Sequence, residues 1–357
     1  MYSSFIFTLA AASAFMSIAF LPNLASDLGA SDFQLGLIVS VYGLTSFISY
    51  YLFGRWGDIH GVRKVLQLGL LVAIIAFAIQ VFAVNPTSLF FVRAAAGFAY
   101  GMVPAALIAY AHHTKQQMGK ISSYESMGWL LGSIFASILS LANPISPYRI
   151  IFLVSSLLFA IGFAASLKLP KYHIPLHRVP LFPWNLIREN FSVYLAFFLR
   201  HFGAMIVWTF FSLFLWELGA SFFWIGIINA ANVGVQTLVK PWLDRFNPWR
   251  IFRVGLFLSA IVFYSYTLAP NFWYIIPVQM LLGIAWSSMQ VGALTILVDN
   301  NLEHSTVVGL FYSTFGLASI LAPLFAGILL AFWGFHGAMY VASGFALIGF
   351  LASYAKK

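Results

Sequence analysis

The residues of this chain that could do chemistry are few, and most sit singly between long apolar runs. The densest group is Gly54-Arg55-Trp56-Gly57-Asp58-Ile59-His60-Gly61-Val62-Arg63-Lys64. It sets Arg55, His60, Arg63 and Lys64 around one acid, Asp58, among three glycines. Gly57 and Gly61 permit a tight turn and a close backbone approach that bulkier residues would prevent. An acid near one helix end and bases at the start of the next can pair across the membrane face. A worn copy recurs about half a chain later, from Lys240 to Arg250. It keeps Asp244 and Arg245 but has Asn247 where Gly61 stands.

The isolated polar residues suggest ligand contact and proton transfer. Arg93 heads the run Arg93-x-x-x-Gly97-x-x-x-Gly101. A charge inside a membrane is costly and normally faces a partner or a wet cavity. We read Arg93 as cavity-facing, against the alternative that it snorkels to an interface roughly 12 Å away. Arg200 and His201 fall near mid-membrane; the imidazole could relay protons or only hydrogen-bond between helices. Asn229, Asn232 and Gln236 share one helix face by spacing, and with Gln279 and Gln290 they either line an aqueous path or bond to a neighbouring helix. Glu125 is the one acid expected inside the hydrocarbon, as a protonatable group or as a solvated cap. Asp27, at the outer end of the first span, is the other acid considered, against a solvated loop reading. The substrate-cavity candidates are therefore Arg93, Arg200, His201, Asn232, Gln236 and Gln279, and the proton-coupling candidates are Glu125, Asp27 and His201.

Several classes are excluded. The chain has no cysteine, so thiolate nucleophiles and Cys-ligated metals are absent. No phosphate-binding glycine loop ends in Lys-Ser/Thr, and His112-His113 lacks ligand spacing on a helix. No cofactor or metal is expected. An enzyme would need a nucleophile, acid and base, or metal ligands, clustered at one depth. The scattered polar residues argue against that.

The elements that must position these residues follow from composition. Apolar residues make up 62% of the chain and charged ones 8%, whereas roughly a quarter of a soluble domain is charged. A helix needs about 20 apolar residues to cross a bilayer. Twelve such runs occur, near 5–25, 33–54, 65–84, 89–111, 122–142, 149–168, 192–216, 222–241, 251–269, 272–297, 306–330 and 335–355. The expected class is an all-α membrane protein, and Met1-Tyr2-Ser3-Ser4 lacks the basic leader of a removable signal. The net charge of +9 does not mark a nucleic-acid binder. Alternate loops carry 15 of the 18 Lys and Arg residues, all but Arg93, Arg149 and Arg200, while the opposite loops hold Asp27, Asp32 and Glu217. That positive-inside bias places both termini in the cytoplasm.

The two halves share one plan. Gly29-Ala30-Ser31 matches Gly219-Ala220-Ser221 at an offset of 190, and Asp58/Asp244, Gly69/Gly255 and Gly97/Gly283 match at 186. The expected domains are a six-helix bundle at 1–168, a cytoplasmic linker at 169–190 and a second bundle at 191–357. The linker carries Pro170, Pro175, Pro180 and Pro183 among basic residues, which suits an extended tether.

With these features in place, the chain resembles the major facilitator superfamily. That family's loop between spans two and three reads Gly-x-x-x-Asp-Arg/Lys-x-Gly-x-Arg/Lys-Arg/Lys. Gly54, Asp58, Gly61, Arg63 and Lys64 match it, and Ile59 departs. The resemblance implies two pseudo-symmetric six-helix bundles, a cavity lined by spans one, four, seven and ten, and a loop that latches the outward-open state. It further implies a substrate- or proton-linked role for Arg93. Gly128-x-x-x-Gly132-Ser133 lacks the proline of the span-five antiporter motif, and span eleven carries Ala322-Pro323 instead. The expected function is secondary-active transport of a small solute by alternating access in the plasma membrane, coupled to protons, by a monomer in the lipid bilayer. Aromatic wealth and few acids favour efflux of lipophilic or drug-like compounds. Two buried arginines support the alternative, uptake of a small organic anion. A receptor or enzyme without transport is the rival of another class.

Overall fold

In lipid, an apolar run satisfies its backbone groups most simply as a helix. The computed structural model describes residues 2–19, 21–142, 148–172 and 176–355, and among them there is no strand. His173, Pro175, Lys356 and Lys357, which entered the linker and charge arguments, lie outside the described residues.

The helices fall on the twelve expected spans. α1 (Tyr2–Ala19) and α2 (Leu21–Asp27) cover the first, and α3 (Asp32–His60) covers the second. α4 (Val62–Ala78), extended by a 3-10 turn over Ile79–Phe82, makes the third. The fourth is divided into α5 (Pro86–Gly101) and α6 (Pro104–His113), because Pro104 has no N–H for a continuous ladder. α7 (Met118–Ala142) and α8 (Tyr148–Leu167) complete the first six. After the short α9 (Trp184–Glu189) come α10 (Phe191–Glu217), α11 (Phe222–Leu243), α12 (Pro248–Tyr266) and α13 (Phe272–Asn300). α14 (His304–Ala352) holds 49 residues, too long for one ~30 Å crossing, and it breaks at Gly334 (φ 62°, ψ −169°). It carries spans eleven and twelve.

Two expectations change. Span two does not stop at Gly54, because Arg55 to His60 all tolerate a helix, and α3 ends only where Gly61 takes φ 99°. The expected ten-residue loop is thus one glycine between α3 and α4. In the second copy α11 likewise runs through Pro241 to Leu243, so Lys240, read from sequence as a loop cation, is helical and fully buried. The linker also is not a free tether. Arg55 Nε donates to Val179 O (2.9 Å) and Pro180 O (3.1 Å), His177 N–H donates to Asp58 O (2.9 Å), and 184–189 is helical.

The chain resolves into two compact units. One comprises Met1–Gln117, Tyr124–Pro180 and Leu302–Gly316; the other comprises Met118–Ser123, Leu181–Asn301 and Leu317–Lys357. Each therefore includes the opening turns of a helix from the other half of the sequence. The repeat is visible inside them. α3 packs on α5 with Gly97 against the Tyr42 backbone, and α11 packs on α13 with Gly283 against Asn232 O. Small residues at such crossings let helices approach closely in lipid.

Candidate functional site

The conserved-offset acids sit at helix starts. Asp58 Oδ2 accepts from the Thr306 N–H (2.7 Å) and hydroxyl (2.7 Å), and Oδ1 accepts from the Ser305 N–H (3.1 Å). A carboxylate there meets both unpaired amides and the positive end of the helix dipole. The seat depends on glycine: a Cβ on Gly54 would lie 2.7 Å from Ser305 O and 2.9 Å from Gly309 Cα. Gly57 packs against the Ser305 side chain. Asp58 is 4% exposed. Arg63, expected to pair with Asp58, instead donates from Nη2 to Leu167 O (3.0 Å), closing α4 onto α8. Lys64 is exposed.

The second copy repeats this arrangement. Asp244 accepts from the N–H groups of Gly119 (2.7 Å) and Lys120 (3.0 Å) at the start of α7. The offset relating Asp58 to Asp244 also relates Ser305 and Thr306 to Gly119 and Lys120. Burial pushes the Asp244 carboxyl up from its ordinary range, and the Gly119 and Lys120 amides pull it back. Arg245 lies on the exposed side, its guanidinium 4.5 Å from the Trp242 ring centre.

Arg93 is buried within its unit. Nη1 donates to Gln80 Oε1 (3.0 Å) and Ser17 Oγ (3.3 Å), and the guanidinium lies 4.3 Å from the Tyr42 ring centre. Glu125 is also buried and accepts from Tyr312 Oη at 3.3 Å. Asp27 is exposed and accepts from Tyr148 Oη at 2.7 Å. In the other unit Arg200 Nε donates to Ser259 Oγ (2.8 Å) beside Phe263 and Trp286, and His201 stacks on Phe197. Asn232 Nδ2 donates to Gln279 Oε1 (2.9 Å), and Gln236 Nε2 donates to Asn232 Oδ1 (2.7 Å). The structure thus joins Asn232, Gln236 and Gln279 in one network, and it gives Arg93 and Arg200 separate surroundings.

The Major Facilitator Superfamily model matches residues 3–300 and 193–356. The chain belongs to the major facilitator superfamily. It is a multi-pass membrane transporter and not an enzyme. Similar proteins include the uncharacterized MFS-type transporter YuxJ of Bacillus subtilis, 24% identical over 86% of this chain and 83% of the relative. The multidrug resistance protein MdtG of Salmonella typhi is 23% identical over 94% and 89%. Among solved structures, the human organic anion transporter MFSD10 (TETRAN) superposes with a TM-score of 0.83 at 17% identity, covering 98% of each chain. The proton:xylose symporter XylE gives 0.78 at 12%, covering 98% and 93%.

Some features of this transporter were not singled out from its sequence. Lys240 donates from Nζ to Gln290 Oε1 (2.7 Å) and Ser122 O (3.3 Å) inside the fold. Its 50-residue separation from Gln290 carries no local signal. His304 brings its ring to 4.5 Å from His112 and 4.6 Å from His113, at the helix start that Asp58 holds. Among the described residues no group of three or more His, Asp or Glu side chains is placed to hold a metal ion.

Proposed function

We propose that this transporter works by alternating access, coupled to protons, and exports lipophilic or drug-like compounds across the plasma membrane with both termini cytoplasmic. The observation that carries the mechanism is the pair of carboxylates, Asp58 and Asp244, seated on helix starts at one common offset. Backbone amides hold each acid, so either seat can open without stranding a buried countercharge. That suits contacts made and lost in each cycle. The 1–168 and 191–357 bundles are the moving bodies in this reading, with Arg93, Arg200, His201, Asn232, Gln236 and Gln279 lining the solute path. Glu125, buried and accepting from the Tyr312 phenol, is the foremost proton carrier. His201 and Asp27 are the other two candidates.

Efflux is favoured by the MdtG relatives, named for multidrug resistance, and by the scarcity of acids and abundance of aromatics. Uptake of a small organic anion is the second reading, and the buried Arg93 and Arg200 favour it. Proteoliposomes holding the purified transporter, assayed with lipophilic cations and with small carboxylates under an imposed pH gradient, separate the two. Export of the cations that collapses with the gradient supports the proposal. Carboxylate uptake lost in Arg93→Gln and Arg200→Gln supports the alternative. Flux that ignores the gradient refutes proton coupling.

A further inference from the structure

A cavity of about 440 Å³ lies beside the start of α12, outside the polar clusters described above. Its lining includes the cations Arg250 and Arg253, the rings of Trp249 and Tyr354, and the apolar Val254, Phe257 and Phe350. Arg253 donates from Nη2 to Ser353 O (3.2 Å), and its guanidinium lies 3.9 Å from the Tyr354 ring centre and 5.3 Å from that of Trp249. Among the described residues, Arg253 Nε is sealed from solvent with no hydrogen-bond partner, and no carboxylate lines the cavity. Arg250 is exposed, as are Val254 (44%), Phe257 (44%) and Tyr354 (52%).

Two chemistries thus meet at a fixed spacing. From Arg250 to Phe257 is seven residues of helix, roughly 10 Å at 1.5 Å per residue. The headgroup layer is only about 5–7 Å thick on each side of the hydrocarbon, so a groove of that length reaches from a phosphate into the acyl chains. Arginines offer a phosphate a planar, charged set of donors. Trp and Tyr rings prefer the membrane interface, and basic pockets between spanning helices on the cytoplasmic side suit anionic head groups.

The matching place in the other half has a different lining. Arg63 and Gln67 of α4 occupy the positions of Trp249 and Arg253, and Gln67 Nε2 donates to Ser166 O (3.0 Å) much as Arg253 does to Ser353 O. There the chain's own segment covers the turn: Leu176 Cδ2 comes within 4.0 Å of a Cβ built on Gly61, and His177 bonds to Asp58. The wall residues there are Leu68 and Leu71 instead of Val254 and the aromatic Phe257, and Leu167 stands for Tyr354.

We propose that this groove is a binding site for an anionic phospholipid of the cytoplasmic leaflet. The phosphate sits on Arg250 and Arg253 beside Trp249 and Tyr354, and an acyl chain lies along Val254, Phe257 and Phe350. The leaflet rests on the orientation proposed above; the site itself does not.

Detergent-solubilised transporter titrated with phosphatidylglycerol or phosphatidylcholine, with bound lipid counted by native mass spectrometry, tests it. The first phosphatidylglycerol should bind about tenfold or more tightly than phosphatidylcholine. Arg250→Gln with Arg253→Gln should erase that preference, and Arg188→Gln, which removes an exposed charge elsewhere, should leave it intact. Because Arg253 also anchors Ser353, Arg250→Gln alone serves if the double variant unfolds, and it should lose several-fold of the preference. The proposal is overturned if the Arg250 variants keep the wild-type preference, if Arg188→Gln reduces it equally, or if glycerol phosphate competes as well as the lipid. The readout contains no transport step. A transporter that moves solute without the lipid preference refutes this site alone, and a lipid preference without solute flux refutes only the transport reading.

Discussion

The two copies of the loop use one backbone plan with different side chains. Asp58 and Asp244 each cap the start of a helix, yet Asp58 is buried and takes three donors, while Asp244 is half-buried and takes two. Glycine at 54 lets α3 touch the α14 backbone; at the matching position 240 a buried lysine reaches Gln290 instead. The same divergence appears higher in the spans. Arg93 over Tyr42 in one half corresponds to Gln279 bonded to Asn232 in the other, both beside a glycine that admits the neighbouring backbone. The repeat therefore conserves helix approach and lets the polar chemistry drift. The charge sits in the second half at 54/240 and in the first half at 93/279.

Exchanging the residues that differ most should break the comparison hardest. Gly54→Lys forces a side chain onto the Ser305 carbonyl and Gly309 Cα, which overpacking places at about 3 kcal/mol or more. We expect loss of transport and a lowered melting temperature in detergent. The reciprocal Lys240→Gly empties a fully buried site and removes the donor that reaches Gln290 Oε1 and Ser122 O, at about 3 kcal/mol. If either exchange leaves melting and transport unchanged, the two positions are interchangeable and the asymmetry has no consequence.

The acids come next. Asp58→Asn keeps the shape but turns a charged acceptor toward three donors, and it should weaken the seat by about 2–3 kcal/mol, or roughly 30- to 150-fold. Asp244→Asn should cost about 1–2 kcal/mol. Exchange protection of the Ser305–Thr306 and Gly119–Lys120 amides reads the two seats separately. Equal losses at both would mean that burial does not separate them.

The amide pair gives a smaller test. Asn232→Ala removes hydrogen bonds between neutral groups to Gln279 and Gln236, about 1 kcal/mol each. Arg93→Gln, which writes the second half into the first, should cost more, because it removes the cation over Tyr42 together with two charged hydrogen bonds. Thermal unfolding of both variants ranks them. The reverse order would show that Arg93 is held for transport and not for packing.

Hydropathy and the repeat make the spans and the paired acids legible, since both are properties of the chain read in order. The partners of those acids are not. Ser305 and Thr306 look like an ordinary helix start, and only folding brings them to Asp58 across 248 residues. Basic spacing suggested Arg63 as the partner of Asp58. Arg63 faces α8 because α3 stays helical to His60 and turns on Gly61 alone. Lys240 misleads for a related reason: in a list of loop cations it counts toward topology, and helix continuation through Pro241 carries it inside.

The smallest effect separates the acids by pH. Burial raises the Asp244 carboxyl when it is seated on α7, so the seated state binds the proton more tightly than the open one. The seat is therefore favoured on the acid side. It weakens as pH rises through the carboxyl's own titration, above the ordinary carboxylate range. The amides of Gly119 and Lys120 oppose burial, which keeps the change small. Protection of those two amides, corrected for the intrinsic pH dependence of exchange, should fall as pH is raised, and Asp244→Asn should remove that fall. If protection instead rises with pH, the amides dominate burial at Asp244, and the two seats differ only in strength.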